Sequence, residues 1–134
     1  MTSNLRPLKI FFDGGCQPNP GLIEVAVVAR GITYFFDELG EGSSSEAEWL
    51  ALCLALEVAQ SLGVPTFALV GDSRGVIDQA NGAAPCRSSL ARAYRARYQA
   101  AAAALPPRSL RWIARHQNLA GIALKQRHNS PRQL

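Results

Sequence analysis

The first patterned stretch of the chain is an apolar run, Leu8-Lys9-Ile10-Phe11-Phe12, rich in β-branched and aromatic residues and followed by Asp13-Gly14-Gly15. Such a run bounded by paired glycines predicts a strand that stops at a turn. Residues 1–7 carry no period and read as a loose end. Pro18 and Pro20 fix the backbone of a tight loop over Cys16–Gly21. Ile23–Ala29 and Ile32–Asp37 then read as two more strands, joined at Gly31 as an antiparallel meander. Gly40–Ser45 is a loop. From Glu46 to about Leu62 the period changes. Ala47, Leu50, Ala51, Leu54 and Val58 form one helical stripe, and Trp49, Leu52, Cys53 and Leu56 widen it into a helix buried on most sides. Ser45, three residues before Glu48, is placed to cap this helix, and Gly63 to end it.

The later pattern alternates. Pro65–Val70 predicts a fourth strand running into Asp72, and Ser73–Ala80 a short helix. Asn81–Pro85 is a linker. Ser88–Ala104 predicts a long helix with Leu90, Tyr94, Tyr98 and Ala101 on one face and Arg92 and Arg95 on another, stopped by Pro106-Pro107. Ser109–Ala114 is a fifth strand and Leu119–Arg127 a last helix. Trp49 and Trp112 are expected in the core. Three meander strands followed by helix-linked strands imply an α/β fold with a five-stranded mixed sheet, antiparallel first and then parallel, flanked by helices. Sites in such sheets gather at the carboxyl ends of strands. Asp13 and Asp72 are predicted at strand ends and Glu48 at a helix start, so one sheet edge would collect all three.

Composition narrows the picture. At 134 residues, 48% hydrophobic and 18% charged, residues 1–134 should fold as a single domain with a full core. No segment has the layout of a signal peptide or a membrane span. Three widely spaced cysteines, Cys16, Cys53 and Cys86, suit neither a zinc site nor a disulfide framework, and a cytoplasmic protein with reduced thiols is expected. The net charge of +4 is unevenly spread. Residues 1–78 hold all ten acids against four Lys and Arg, a net −6, whereas residues 79–134 hold ten Lys and Arg and no acid, a net +10. An acidic centre beside a basic half suits a polyanion that must also meet metal ions.

Three motifs carry the acids: Asp13-Gly14-Gly15-Cys16 continuing to Asn19-Pro20-Gly21, Ala47-Glu48-Trp49-Leu50-Ala51-Leu52, and Gly71-Asp72-Ser73 followed by Val76-Ile77. With Arg111-Trp112-Ile113-Ala114-Arg115-His116-Gln117-Asn118 they closely resemble the type-1 ribonuclease H family, from about Leu8 to Leu124. The resemblance implies the ribonuclease H-like fold. It also implies an endonuclease that cuts the RNA strand of an RNA–DNA hybrid to 5′-phosphate and 3′-hydroxyl products. Two Mg²⁺ ions, with Mn²⁺ as a substitute, would bridge the scissile phosphate, one activating water and one stabilising the leaving oxygen. Asp13 would touch both metals, with Glu48 and Asp72 on the leaving-group metal. Asn19 matches a groove-contacting Asn, and Ser43-Ser44-Ser45 replaces the frequent Thr-Asn-Asn of the family. Arg74, His116 and Asn118 are lesser candidates. His116 lies in the loop where some members keep a mobile His, although strict counting puts Trp112 in that slot. Arg92 and Arg95 could replace the basic protrusion of some members.

One departure stands out. Two variable residues and a small residue after Asn118, the family places a fourth Asp; here Ile122 occupies the slot, and no acid follows Asp78. That acid serves the nucleophile-activating metal in the family. The expectation is therefore a ribonuclease H with reduced or Mn²⁺-dependent turnover. The alternatives are a catalytically inactive module that binds hybrid or duplex RNA, or an ancillary domain for assembly.

Overall fold

The computed structural model describes residues 6–129. Its strands are β1 (Leu8–Cys16), β2 (Gly21–Ala29), β3 (Ile32–Phe36), β4 (Glu41–Gly42), β5 (Phe67–Gly71) and β6 (Ser109–Trp112). Its helices are α1 (Ser44–Leu62), α2 (Arg74–Ala80), α3 (Ser89–Ala104) and α4 (Leu119–Asn129), with a 3-10 turn over Arg115–Gln117. The sheet order is β3-β2-β1-β5-β6, with the two-residue β4 pairing off this path with β2. β1 and β3 run antiparallel to β2, while β1, β5 and β6 are mutually parallel. The five expected strands and their directions are all present; β4 adds a short bridge inside the expected Gly40–Ser45 loop.

Alternation along β1 divides the molecule. Ile10, Phe12 and Cys16 point to the face covered by α1 and α3, where Trp49, Leu52, Leu56, Phe67, Leu69 and Val27 are buried. Fully burying one such large side chain contributes about 1.5–3 kcal/mol. Phe11 points the other way and packs with Ala26, Val28, Ala120 and Leu124 beneath α4. Helix α1 holds Trp49 nearly parallel to Tyr94 of α3, ring centroids 6.3 Å apart, and closes at Gly63 in the left-handed conformation. Among the described residues no helix is long and apolar enough to cross a membrane.

Three expectations are corrected. First, β1 does not stop at Gly14-Gly15. It pairs with β2 through Gly14↔Val25, Gly15↔Glu24 and Cys16↔Ile23. The glycine at 14 serves close approach rather than turning: a Cβ there would fall 2.1 Å from the Ala47 carbonyl oxygen of α1. Second, the cap of α1 is Ser43, whose Oγ accepts the Glu46 N–H at 3.1 Å, and not Ser45. Third, Trp112 is not in the core. As the last residue of an edge strand it has a neighbouring strand on one side alone, and it remains 41% exposed.

Candidate metal centre

Asp13 lies on the α4 side of β1, level with the point where the β1–β5 pairing has ended and the β1–β2 pairing continues. Asp72 follows directly on β5. Glu48 sits in the first turns of α1, drawn toward β1 by the contact at Gly14; its Oε1 accepts the Gly14 N–H at 3.3 Å. The three carboxylates each offer an oxygen within 4.8 Å of the others. Of the motif acids, Asp72 is at a strand end and Glu48 at a helix start as expected, whereas Asp13 is inside a strand.

Asn118 ties the centre together. It is fully buried, and its Nδ2 donates to the Phe12 carbonyl and to Asp72 Oδ2, both at 3.0 Å. Its Oδ1 accepts the Ala120 N–H, so the same side chain caps the start of α4. Asp72 Oδ1 is buried with no hydrogen-bond partner. A buried carboxylate oxygen without a donor is unfavourable unless something positive meets it. Asp13 lies beside Gly121 of α4: a Cβ on that glycine would stand 3.4 Å from Asp13 Oδ2 and 3.6 Å from Asp72 Oδ2. A small residue there keeps the space above the acids open.

Electrostatics tell the same story. Burial, reinforced by the Asp72 charge, pushes the Asp13 carboxyl up to about 7, with Arg115 and the Gly14 N–H pulling it down. Burial, followed by Asp13 and Asp72, pushes Glu48 up to about 9. Crowded, desolvated carboxylates without a counter-ion resist ionisation. A hard divalent cation is the partner that reverses this, and an all-oxygen donor set suits Mg²⁺ or Mn²⁺. The residues present thus fit such a cation.

The serine loop opens beside the acids. Ser44, Ser45, Glu48, Ser73 and Gln79 line one groove. Asn19 Oδ1 accepts the Ser44 N–H at 3.1 Å and a longer contact from Cys16 Sγ, so Asn19 holds this loop and keeps its amide nitrogen for donation elsewhere. Ser43 is occupied as the helix cap. Arg74 stacks its guanidinium 4.0 Å from the Trp112 ring centroid, and Trp112 Nε1 donates to the Asp72 carbonyl at 3.1 Å. Arg92 is engaged with the Cys86 and Arg87 carbonyls. His116 is exposed in the 3-10 turn, and it is its neighbour Arg115 whose charge reaches Asp13 and Glu48. Sequence reasoning missed Arg115 because it singled out the imidazole in the same tetrad. Gly121, which the motif count places in its small-residue slot, stands against the acids.

A family model described as reverse transcriptase-like matches residues 12–128. No curated protein matches in sequence. Among solved structures, RNase H1 from the halophilic archaeon Halobacterium salinarum NRC-1 is 26% identical, with a TM-score of 0.83 over 94% of this chain and 100% of that one. The N-terminal RNase H domain of a Mycobacterium tuberculosis protein is 24% identical, with a TM-score of 0.74 over 92% of this chain and 97% of that one. LC11-RNase H1, isolated from compost by a metagenomic approach and solved in complex with an RNA/DNA hybrid, is 22% identical, with a TM-score of 0.73 over 84% of this chain and 88% of that one. With the mixed sheet and the gathered acids, the family match means that this chain belongs to the reverse transcriptase-like family and is a type-1 ribonuclease H-like protein.

Proposed function

We propose that this protein is a divalent-metal-dependent endonuclease that cleaves the RNA strand of RNA–DNA hybrids to 5′-phosphate and 3′-hydroxyl products. The observation that carries the reading is the convergence of Asp13, Glu48 and Asp72 within 4.8 Å, with Asp72 Oδ1 buried and unpartnered. Bound Mg²⁺ or Mn²⁺ would supply charge neutralisation at the phosphate and a water of lowered pKa. The chain's own residues do the rest. The Gly14 N–H holds Glu48 by one oxygen, and Asn118 holds Asp72 by Oδ2, so each carboxylate keeps an oxygen for coordination. Ser44 and Ser45 line the groove beside Glu48, where their hydroxyls can bond the 2′-hydroxyls that distinguish RNA from DNA. Arg115 adds positive potential at the phosphate. The hybrid-bound LC11-RNase H1 supports this choice of substrate.

Ile122, in the slot of the family's fourth Asp, leaves Asp13 as the main protein ligand on the nucleophile side. Turnover is therefore expected to be slow and to favour Mn²⁺. The experiment is incubation of labelled hybrid with Mg²⁺ or Mn²⁺, with Asp72→Asn as control. Metal-dependent cuts in the RNA strand that the control abolishes are expected. Equal, negligible cleavage by both would overturn the enzyme reading. The absence of any acid after Asp78 favours a second reading, a hybrid-binding module without turnover. Hybrid binding without cleavage, at low salt, is its signature.

A further inference from the structure

Helix α4 lies over β1 and β2, and among the described residues the helices that reach β5 and β6, α1 and α2, belong to the core on the opposite face. Lys9, Ala68 and Ser109 stand side by side across β1, β5 and β6, and Arg111 follows two residues further along β6. With Arg6 and Arg108 they line an open groove, and Arg6, Lys9, Arg108 and Arg111 are all exposed. Among the described residues the ion pairs join Arg97 to Glu57, Arg127 to Glu24 and Asp37, and His128 to Glu24; none neutralises these four cations. Residues 1–5 and 130–134 contain no acid either.

We propose that this groove is a second nucleic-acid contact, a phosphate-binding face that holds the backbone of a polynucleotide segment apart from the acid centre. Four like charges, Lys9 and Arg111 on strands and Arg6 and Arg108 just ahead of them, with Pro7 and Ala68 as the sole apolar lining, offer no pocket for the aromatic or aliphatic anchors that peptide partners use. A uniformly charged polymer needs no such anchor. The face is continuous with that of Asp13, because Lys9 and Asp13, four residues apart, lie on the same side of one strand, about 13 Å apart along it. Polynucleotide held here would raise the local concentration of substrate or retain a product strand.

The test is binding of fluorescent single-stranded RNA and of hybrid in EDTA, titrated over roughly 50–200 mM KCl. It compares the full chain with the exposed double variant Arg108→Gln/Arg111→Gln and its charge-keeping counterpart Arg108→Lys/Arg111→Lys. The glutamine pair should lose about tenfold in affinity at low salt, and its salt slope for RNA should fall by about 1.4. The lysine pair should keep both, and the thermal midpoint should be unchanged in each. An unchanged slope in the glutamine pair, or equal loss in the lysine pair, would overturn the proposal. So would polyglutamate displacing RNA as effectively at equal charge, because the face would then serve acidic peptides. The inference stands apart from catalysis: a chain that never cuts hybrid but shows the predicted loss of slope would refute the nuclease reading alone.

Discussion

At the scale of single residues, Asn118 does the most with one side chain. Its amide donates to the Phe12 carbonyl and Asp72 and accepts from Ala120. Asn118→Ala strands a buried carbonyl and frees Asp72, so a loss of about 2–3 kcal/mol is expected. Denaturant unfolding measures it, and the variant should also need more Mn²⁺ for the same thermal shift. A full-strength metal response in the variant would show that Asp72 needs no such hold. Ile122 is the complementary position, since the preceding glycine already lies against the acids. Ile122→Asp supplies the oxygen ligand that the family motif has there. Metal affinity by calorimetry should rise several-fold, and unchanged affinity would mean that position 122 does not reach the centre.

At the scale of elements, the acids meet because β1 and the start of α1 touch. The contact is made at Gly14, whose missing side chain lets the strand pass the Ala47 carbonyl. Gly14→Ala must push strand and helix apart or distort one of them. A destabilisation of about 2–4 kcal/mol and loss of metal-induced stabilisation are expected, both read by thermal shift. Retained metal response with near-native stability would show that the two elements can separate without parting Asp13 from Glu48. The same contact marks the limit of what was legible in the sequence. The helix and strand periods and the directions of the five expected strands were readable from local pattern and crossover rules, and the three acids from their motifs. The role of the glycine pair was not, because paired glycines signal a turn locally and only the tertiary neighbour reveals close packing. Ser45 was misread as the α1 cap because three serines in a row all satisfy the motif, and helix entry selects Ser43. Trp112 was misread because hydrophobicity does not report that a strand is at the sheet edge.

At the scale of the whole molecule, the fold spends stability to hold three carboxylates together out of water. Asp13 rises from its ordinary 3.8 to about 7, and Glu48 from 4.5 to about 9. A raised acid pKa means that the folded state holds its proton more tightly than the unfolded state. Well below pH 4 both states are protonated and these groups make no difference. As pH climbs from 4 to 9 the unfolded chain ionises freely while the folded one must charge a crowded site, so stability falls across that window. Asp37 has the opposite sign, its carboxyl held low by Arg127, but that effect is lost only on acidification below its ordinary 3.8. The metal-free protein is therefore expected to melt at lower temperature at pH 8 than at pH 5. A divalent cation binds the deprotonated carboxylates, so Mg²⁺ or Mn²⁺ should raise the midpoint strongly at pH 8 and little at pH 5. Glu48→Gln removes a carboxyl that ionises in the unfolded chain at pH 8 but must take up a proton to fold. It should stabilise the metal-free protein at pH 8 by on the order of 2 kcal/mol and flatten both the pH dependence and the metal response. Thermal melts of the two proteins at pH 5 and pH 8, each with EDTA and with Mn²⁺, decide it. A wild type that melts higher at pH 8 than at pH 5 in EDTA would show that the carboxylates are not in electrostatic conflict. The centre would then lack the built-in drive toward cation capture that its geometry implies.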